Sequence, residues 1–144
     1  MTSIRILLAP FITLVIVQSI KLAADGIKGN FTLRGLFFTY GGMPSSHTAF
    51  VTSMTTMVGW SEGVTSSDFA VAVVLSLIVI VDAVILRRYI DGHGQAVTKL
   101  VARLPADEQR GYPAIATKIE HTMPQVLVGA LIGFAISTII FFLL

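Results

Sequence analysis

The sequence predicts an all-α, polytopic membrane protein: a bundle of about four transmembrane helices with one interfacial helix on the cytoplasmic side. Its 144 residues are 54% hydrophobic and only 12% charged, whereas a soluble domain carries about a quarter charged residues. The apolar residues also form long stretches, and a helix of roughly 20 such residues crosses a bilayer. We expect one domain over residues 1–144.

Charge and cysteine content exclude several classes of protein. The net charge is only +2 and no basic tract occurs, so we expect no binding to nucleic acid. The chain has no cysteine, which excludes disulfides and thiolate metal sites. The expected partners are membrane lipids, because the chain is predicted to lie within a bilayer.

Three stretches are long and apolar enough to be predicted spans: residues 4–24, 69–86 and 122–144. A fourth, residues 47–60, is short and rich in threonine. We expect it to be surrounded by the other helices, with its hydroxyl groups bonded to its own turns or to neighbours. The first stretch continues past the usual length of a signal peptide, which argues against cleavage.

Basic residues predict the orientation of these four spans. All but one of them fall at one face, and the exception, Arg5, lies beside the acidic connection 62–68. The positive-inside rule then places the basic face in the cytoplasm and both termini outside, in a bacterial inner membrane or its equivalent. The residues at the basic face are Lys21, Lys28, Arg34, Arg87, Arg88, Lys99, Arg103, Arg110 and Lys118.

Besides Arg5 at the start of the first stretch, two charged residues fall inside the predicted spans. Lys21 follows Gln18 at helical spacing and is expected to face the bundle. Asp82 lies near the end of the stretch 69–86, where a carboxylate needs a partner or a function. We expect Asp82 to pair with Lys21. Both a purely structural pair and a direct catalytic role are compatible with the sequence.

The cytoplasmic segment after this span is predicted in three parts. Residues 91–94, with two glycines around His93, are expected to form a loop. Residues 95–104 place their apolar side chains on one helical face, which is typical of an amphipathic helix at a membrane interface. Pro105 should end that helix, and residues 106–111 should form a polar turn.

The most informative segment is Gly41-Gly42-Met43-Pro44-Ser45-Ser46-His47. Glycines allow close approach to the backbone, and a serine can cap the helix that follows. The free N–H groups of the first helical turn attract negative charge. His47 adds a side chain that gives or takes a proton near neutral pH. This order predicts a phosphate site at a membrane surface.

The last span begins with a second histidine. In His121-Thr122-Met123-Pro124-Gln125 the proline suits the first turn of a helix. His121, Gln125, Gly129 and Gly133 recur at a spacing of four and so share one face. The two glycines predict close packing against another helix.

These residues can perform phosphoryl transfer without a metal or cofactor. One imidazole can attack phosphorus to form a phosphohistidine, and another can protonate the leaving oxygen. Cations and a helix N-terminus can stabilise the charge that develops on the oxygens. The same residue types also serve membrane proteins that only hold lipid headgroups, so both interpretations are open at this point.

At these residues the chain resembles the divergent branch of the type 2 phosphatidic acid phosphatase superfamily, also labelled acid phosphatase/vanadium-dependent haloperoxidase-related. The resemblance covers most of the chain, and the Gly-Gly-Met-Pro-Ser-Ser-His string is its most specific part. It implies that His121 is the nucleophile and His47 the general acid. It further implies phosphate-binding residues, namely Lys21, Arg34, Ser45, Ser46 and Arg87 or Arg88, and orienting or structural residues, namely Asp82, Gln125, Gly41, Gly42 and Pro44.

Two departures from the superfamily pattern bear on activity. Gln125 stands where an acid usually orients the nucleophile, and the last arginine and histidine are farther apart than usual. The bundle also has fewer helices than is usual, so we expect a homodimer.

The leading hypothesis is a phosphatase for a lipid phosphate or pyrophosphate, and the alternative is a non-catalytic binder or carrier of phospholipid headgroups. A structural subunit of a larger complex is a third.

Overall fold

The structure is a computed structural model that describes residues 2–24, 43–112 and 122–143. Within these ranges the chain forms helices, which are α1 (Thr2–Ala24), α2 (Ser46–Glu62), α3 (Ser67–Val81), a π-helical turn (Asp82–Leu86), α4 (Arg87–Val101), α5 (Ala106–Gln109) and α6 (Met123–Leu143). The all-helical prediction is therefore confirmed for the described part of the chain.

Three of these helical stretches are long and apolar enough to cross a membrane. They are α1, α6 and the continuous run from α3 through α4, in agreement with an integral membrane protein and with the three predicted apolar spans. Helix α2 does not reach that length and hydropathy. Within the described ranges, length and composition thus indicate three spans, and the expected count of four is not confirmed.

Helix α2 lies at the centre of the bundle. It packs against α1, α3 and α6, and α1 also packs against α6. Its 17 residues extend about 25 Å. The prediction that the threonine-rich stretch is surrounded by other helices is confirmed within the described ranges, because three helices pack against it.

Hydroxyl groups join α2 to its neighbours. The Thr13 hydroxyl donates to Ser53 Oγ at 2.9 Å, and Ser137 donates to the Ser53 carbonyl, also at 2.9 Å. Thr55 and Ser76 link α2 to α3, with 2.7 Å between their oxygens. In a bilayer no water replaces these partners, so the bonds favour one arrangement of the helices.

The glycines of α6 permit close contact with α2. A Cβ added at Gly129 would lie 2.5 Å from the carbonyl oxygen of Ser45, and one at Gly133 would collide with the carbonyl oxygen of Ala49. Both atoms belong to backbone, which cannot rotate aside. The predicted role of this glycine pair in close helix packing is confirmed.

The segment predicted as a loop at residues 91–94 is helical, so this prediction is wrong. Residues 67–101 form one helical run of 35 residues, about 52 Å long. Extending an existing helix needs no new nucleus, and this outweighs the helix penalty of Gly92 and Gly94, about 1 kcal/mol each. Gln95 Nε2 also donates to Asp91 Oδ2 at 3.0 Å, and the Thr98 hydroxyl donates to the Gly94 carbonyl at 2.8 Å.

The predicted interfacial helix is accordingly not a separate element. Residues 95–101 are the end of α4, which stops at Val101. Residues 106–109, expected as a polar turn, form the one-turn helix α5. The carbonyl of Pro105 starts α5 by accepting the N–H groups of Glu108 and Gln109 at 3.0 and 3.1 Å.

Candidate functional site

The N-terminus of α2 is built by two buried serines. Ser45 is the N-cap, as predicted for one of the pair, and its Oγ accepts the N–H of Thr48 at 3.4 Å and the Thr48 hydroxyl at 3.0 Å. Ser46 Oγ donates to Gln18 Oε1 at 3.3 Å. Pro44, directly before the cap, is buried as well. Both hydroxyls thus help to hold the helix start, and their role as phosphate ligands stays a prediction.

His47 lies in the first turn of α2 and its side chain is exposed. Its Nε2 is 3.5 Å from Nη2 of Arg87, a residue 40 positions later in the chain. Helix α2 supplies the histidine and the start of α4 supplies the arginine. The fold therefore brings together an imidazole, a guanidinium and a helix N-terminus, three groups that interact favourably with an oxyanion.

Arg87 is held by Asp82 through two contacts. Its backbone N–H donates to the Asp82 carbonyl across the π turn, and its Nε donates to Asp82 Oδ2 at 3.4 Å. In an α-helix, residues five apart lie about 140° from each other. The wider π turn, with its i→i+5 bond, aligns them.

The expected pairing of Asp82 with Lys21 is wrong. Across residues 2–24, 43–112 and 122–143, the ion pair that forms is Arg87–Asp82. The prediction relied on the comparable depth of Lys21 and Asp82 in their spans. It took no account of the π turn, which brings Arg87 of the same helical run to the carboxylate. Lys21 does face the bundle as predicted, with only 4% of its surface exposed.

Lys21 belongs to the end of α1 that adjoins this site. Gln18 contacts Ser46, and Lys21 follows Gln18 by three residues, about 4.5 Å farther along the helix. The face of α1 that carries Gln18 and Lys21 is therefore directed at the N-terminus of α2. This places Lys21 close to the α2 N-terminus, and its role as a phosphate ligand stays a prediction.

The two consecutive arginines differ in their surroundings. The Arg87 side chain is only 15% exposed and contacts His47. Arg88 is exposed and lines a shallow groove along the helix with Tyr89 and His93. Of the pair that the sequence left undecided, Arg87 is the residue that meets His47.

Helix α6 begins beside the same serines. The Ser45 N–H donates to the Gln125 carbonyl at 3.0 Å. Gln125 Oε1 accepts the N–H of Thr122 at 2.9 Å, which is the bond that a glutamine makes at the third position of a capped helix. Gln125 thus stabilises the start of α6, and its action on His121 stays a prediction.

Several predicted site residues lie outside the described ranges: Arg34, Gly41, Gly42 and His121. Their roles remain those implied by the resemblance. Among the residues that the structure describes, helical periodicity did not predict the contacts of Arg87 with Asp82 and His47, or that of Gln18 with Ser46. The spacing of five between Asp82 and Arg87 could have predicted their contact only if a π turn had been expected there.

A groove of about 600 Å³ lies elsewhere on the bundle, between α2, α3 and α6. Its lining on α2 includes Thr56, which follows His47 by nine residues. Nine residues correspond to a rotation of about 180° on an α-helix. The groove therefore opens on the side of α2 opposite His47, and it is not part of this site.

Comparisons with known proteins agree with these features. Residues 2–136 match the sequence profile of a family described as the divergent PAP2 family. Over 145 aligned residues the chain is 29% identical to a protein of Bacillus subtilis (strain 168) named "Uncharacterized membrane protein YuiD". That alignment covers 93% of this chain and 92% of the relative. No solved structure matches the chain.

Proposed function

The chain belongs to the divergent PAP2 family, and from this premise we propose that it is a membrane phosphatase. Its substrate would be a lipid phosphate or pyrophosphate, hydrolysed at the cytoplasmic face. The observation that carries the proposal is the approach of Arg87 to His47 at the N-terminus of α2. A proton donor and a fixed cation at a helix start are the groups that phosphoryl transfer requires.

The proposed reaction has two steps. In the first, an imidazole nitrogen of His121 attacks phosphorus, the bond from phosphorus to the ester oxygen breaks, and His47 protonates that oxygen as it leaves. In the second, His47 takes a proton from water, the hydroxyl attacks phosphorus, and the bond between phosphorus and His121 breaks. The products are the dephosphorylated lipid and inorganic phosphate.

Positive charge supports both steps. Arg87 on α4 and Lys21 on α1 would bind the non-bridging oxygens, on which negative charge is spread in the transition state. The free N–H groups in the first turn of α2 lie at the positive end of the helix dipole, and both would attract the phosphate oxygens. Arg34 and the hydroxyls of Ser45 and Ser46 complete the set that the resemblance implies.

His121 is joined to this region by the chain itself. It directly precedes Thr122, and α6 begins where the Gln125 carbonyl accepts the N–H of the α2 N-cap. Contact between the starts of α2 and α6 supports the proposal that both histidines serve one phosphate. A homodimer, also expected from the resemblance, is not needed for this step.

The test is phosphate release by the purified protein in liposomes that contain phosphatidic acid, phosphatidylglycerophosphate or a polyprenyl phosphate. We expect His47→Ala and His121→Ala each to lose most of the activity. The chain has three histidines, so His93→Ala is the matched control. His93 is exposed on α4 and has no part in the proposed reaction, so this variant should keep wild-type activity.

A trapped intermediate would separate the enzyme from a headgroup binder. With substrate labelled in its phosphate, rapid denaturation should leave label on the wild-type protein in a bond that survives base and breaks in acid. The His121→Ala protein should carry no label. Saturable binding of the lipids without phosphate release would reject the phosphatase and favour the binder, and activity unaffected by both substitutions would reject the histidine assignment.

A further inference from the structure

Asp82 and Arg87 are joined by a feature that a regular helix does not have. Along the run from residue 67 to residue 101, the π turn Asp82–Leu86 is the interruption in the α-helical pattern. Such turns amount to one extra residue in a helix and occur frequently at functional sites. Here the turn ends at the arginine that contacts His47.

The turn sets the direction of Arg87. With α-helical geometry throughout, Arg87 would be about 140° from Asp82 around the helix axis. With the π turn it stands over Asp82, and its Nε donates to the carboxylate. This bond uses one of the five N–H donors of the guanidinium. It also fixes the orientation of the planar guanidinium group, and therefore the directions of the other four donors.

The exposure of the two partners differs, and this suggests what the bond does. The Asp82 side chain is 41% exposed and that of Arg87 15% exposed. An ion pair with one partner so exposed contributes little to folding stability. Its clearer effect is geometric, because it restricts a long and flexible side chain to the rotamer that faces His47.

We propose that Asp82 is a positioning residue, which acts through Arg87 to hold its guanidinium against the phosphate site at the start of α2. This inference rests on the proposed function, since that site is where the phosphate would bind. Asp82 would not touch the substrate. A lysine could not replace Arg87, because its single ammonium group offers no fixed plane of donors to divide between a carboxylate and an oxyanion.

A double-mutant cycle tests whether Asp82 acts through Arg87. The variants are Asp82→Asn, Arg87→Gln and the two combined, assayed for phosphate release from phosphatidic acid in liposomes. Asp82→Asn should reduce kcat/KM on the order of 10- to 100-fold, the usual effect of losing a residue that orients a reactive group. In the Arg87→Gln background the same change should have almost no effect, because residues that act as one unit are not additive.

Two controls separate positioning from folding. Asp68→Asn removes an exposed carboxylate from the first turn of α3, far from Arg87 in the helical run, and should keep wild-type activity. The thermal unfolding midpoint of Asp82→Asn should match that of the wild type. Multiplicative effects of the two substitutions, or a loss of activity that follows a loss of folded protein, would overturn the proposal.

The register of the turn gives an independent test. Deleting Ile85, which is 51% exposed, leaves Asp82 and Arg87 four apart and therefore on one face of a regular α-helix. We expect this variant to retain activity. Inserting an alanine after Ile85 rotates Arg87 by about 100° and should abolish it, and the opposite result would contradict the role of the turn.

The proposed function and this inference can fail separately. If the wild type releases no phosphate, the same cycle is run on calorimetric binding of soluble dihexanoyl phosphatidic acid. Non-additive binding losses would then support Asp82 as a positioning residue and reject the phosphatase. Phosphate release by the wild type with additive losses in the cycle would support the phosphatase and reject Asp82 as a positioning residue. If the wild type neither released phosphate nor bound the lipid, both proposals would be rejected.

Discussion

The backbone N–H of Ser45 donates to the carbonyl of Gln125 at 3.0 Å, so the N-cap of α2 is bonded to the first turn of α6. This bond joins the start of the helix that carries His47 to the start of the helix that follows His121 in the sequence. It depends on close approach of the two helices, which Gly129 and Gly133 permit one and two turns farther along α6. The site at the start of α2 therefore depends on small residues that do not belong to it.

Substitution of these glycines should separate the helices. Gly129→Ala and Gly133→Ala each place a Cβ against a backbone carbonyl of the α2 segment. We expect a loss of about 1–3 kcal/mol in the free energy of unfolding, the usual cost of overpacking, with a parallel loss of phosphate release. Unfolding in mixed detergent, followed by circular dichroism, measures the first effect.

Gly92→Ala is the matched control for this pair. Apart from the neighbouring backbone of its own helix, no described atom lies within 4 Å of a Cβ built at Gly92, which is inside α4. Replacing a helical glycine by alanine then stabilises the helix by about 0.5–1 kcal/mol. If the three alanine variants unfolded alike, close packing of α6 on α2 would not be the reason for the two glycines.

The two arginines at the start of α4 should differ in their effect on activity. Arg87 faces His47 and is fixed by Asp82, whereas Arg88 is exposed on another face. Arg87→Gln should reduce kcat on the order of 100-fold, as loss of a preorganised group that stabilises transition-state charge does. Arg88→Gln should stay close to the wild type. Equal losses in a liposome assay would show that the contact between Arg87 and His47 does not select the catalytic arginine.

The buried hydroxyl groups between α1, α2 and α6 should contribute to stability. Ser53 contacts both Thr13 and Ser137, so Ser53→Ala leaves two hydroxyls with one partner fewer. We expect a loss of about 1 kcal/mol, in the range for hydrogen bonds between membrane helices.

Ser19→Ala provides the comparison for Ser53→Ala. The Ser19 hydroxyl is exposed and donates to the Val15 carbonyl within its own helix, so its removal should change stability by a few tenths of a kcal/mol at most. The measurement is equilibrium unfolding of both variants in the same detergent, which compares their free energies of unfolding. A larger effect at Ser19 would argue against a stabilising role of the bonds between helices.

The orientation can be measured with single cysteines, because the chain has none of its own. Val64, in the connection between α2 and α3, and Tyr112, after α5, are 69% and 54% exposed. The positive-inside rule predicts that a membrane-impermeant maleimide labels Val64→Cys in intact cells. Tyr112→Cys should be labelled only after permeabilisation. The reverse pattern would place the site at the outer face.

Much of the fold was predictable from periodicity and local chemistry. The apolar stretches indicated α1, α3 and α6, the serines before His47 indicated the start of α2, and the spacing of Gly129 and Gly133 indicated a close helix contact. These features depend on a residue and its near neighbours, so one sequence contains them. The same reasoning failed at residues 91–94, where local glycine signals were weaker than the continuity of a long helix.

The candidate site was predictable as a set of residues but not as an arrangement. The sequence identified His47, Arg87, Arg88, Lys21 and Asp82, because charged and titratable groups are rare in an apolar chain and expensive to bury. It could not say which arginine meets His47 or which cation pairs with Asp82. Those answers depend on a π turn that shifts the helical phase by one residue, and on contacts between positions 40 or more residues apart. Such contacts exist only once the helices have packed together.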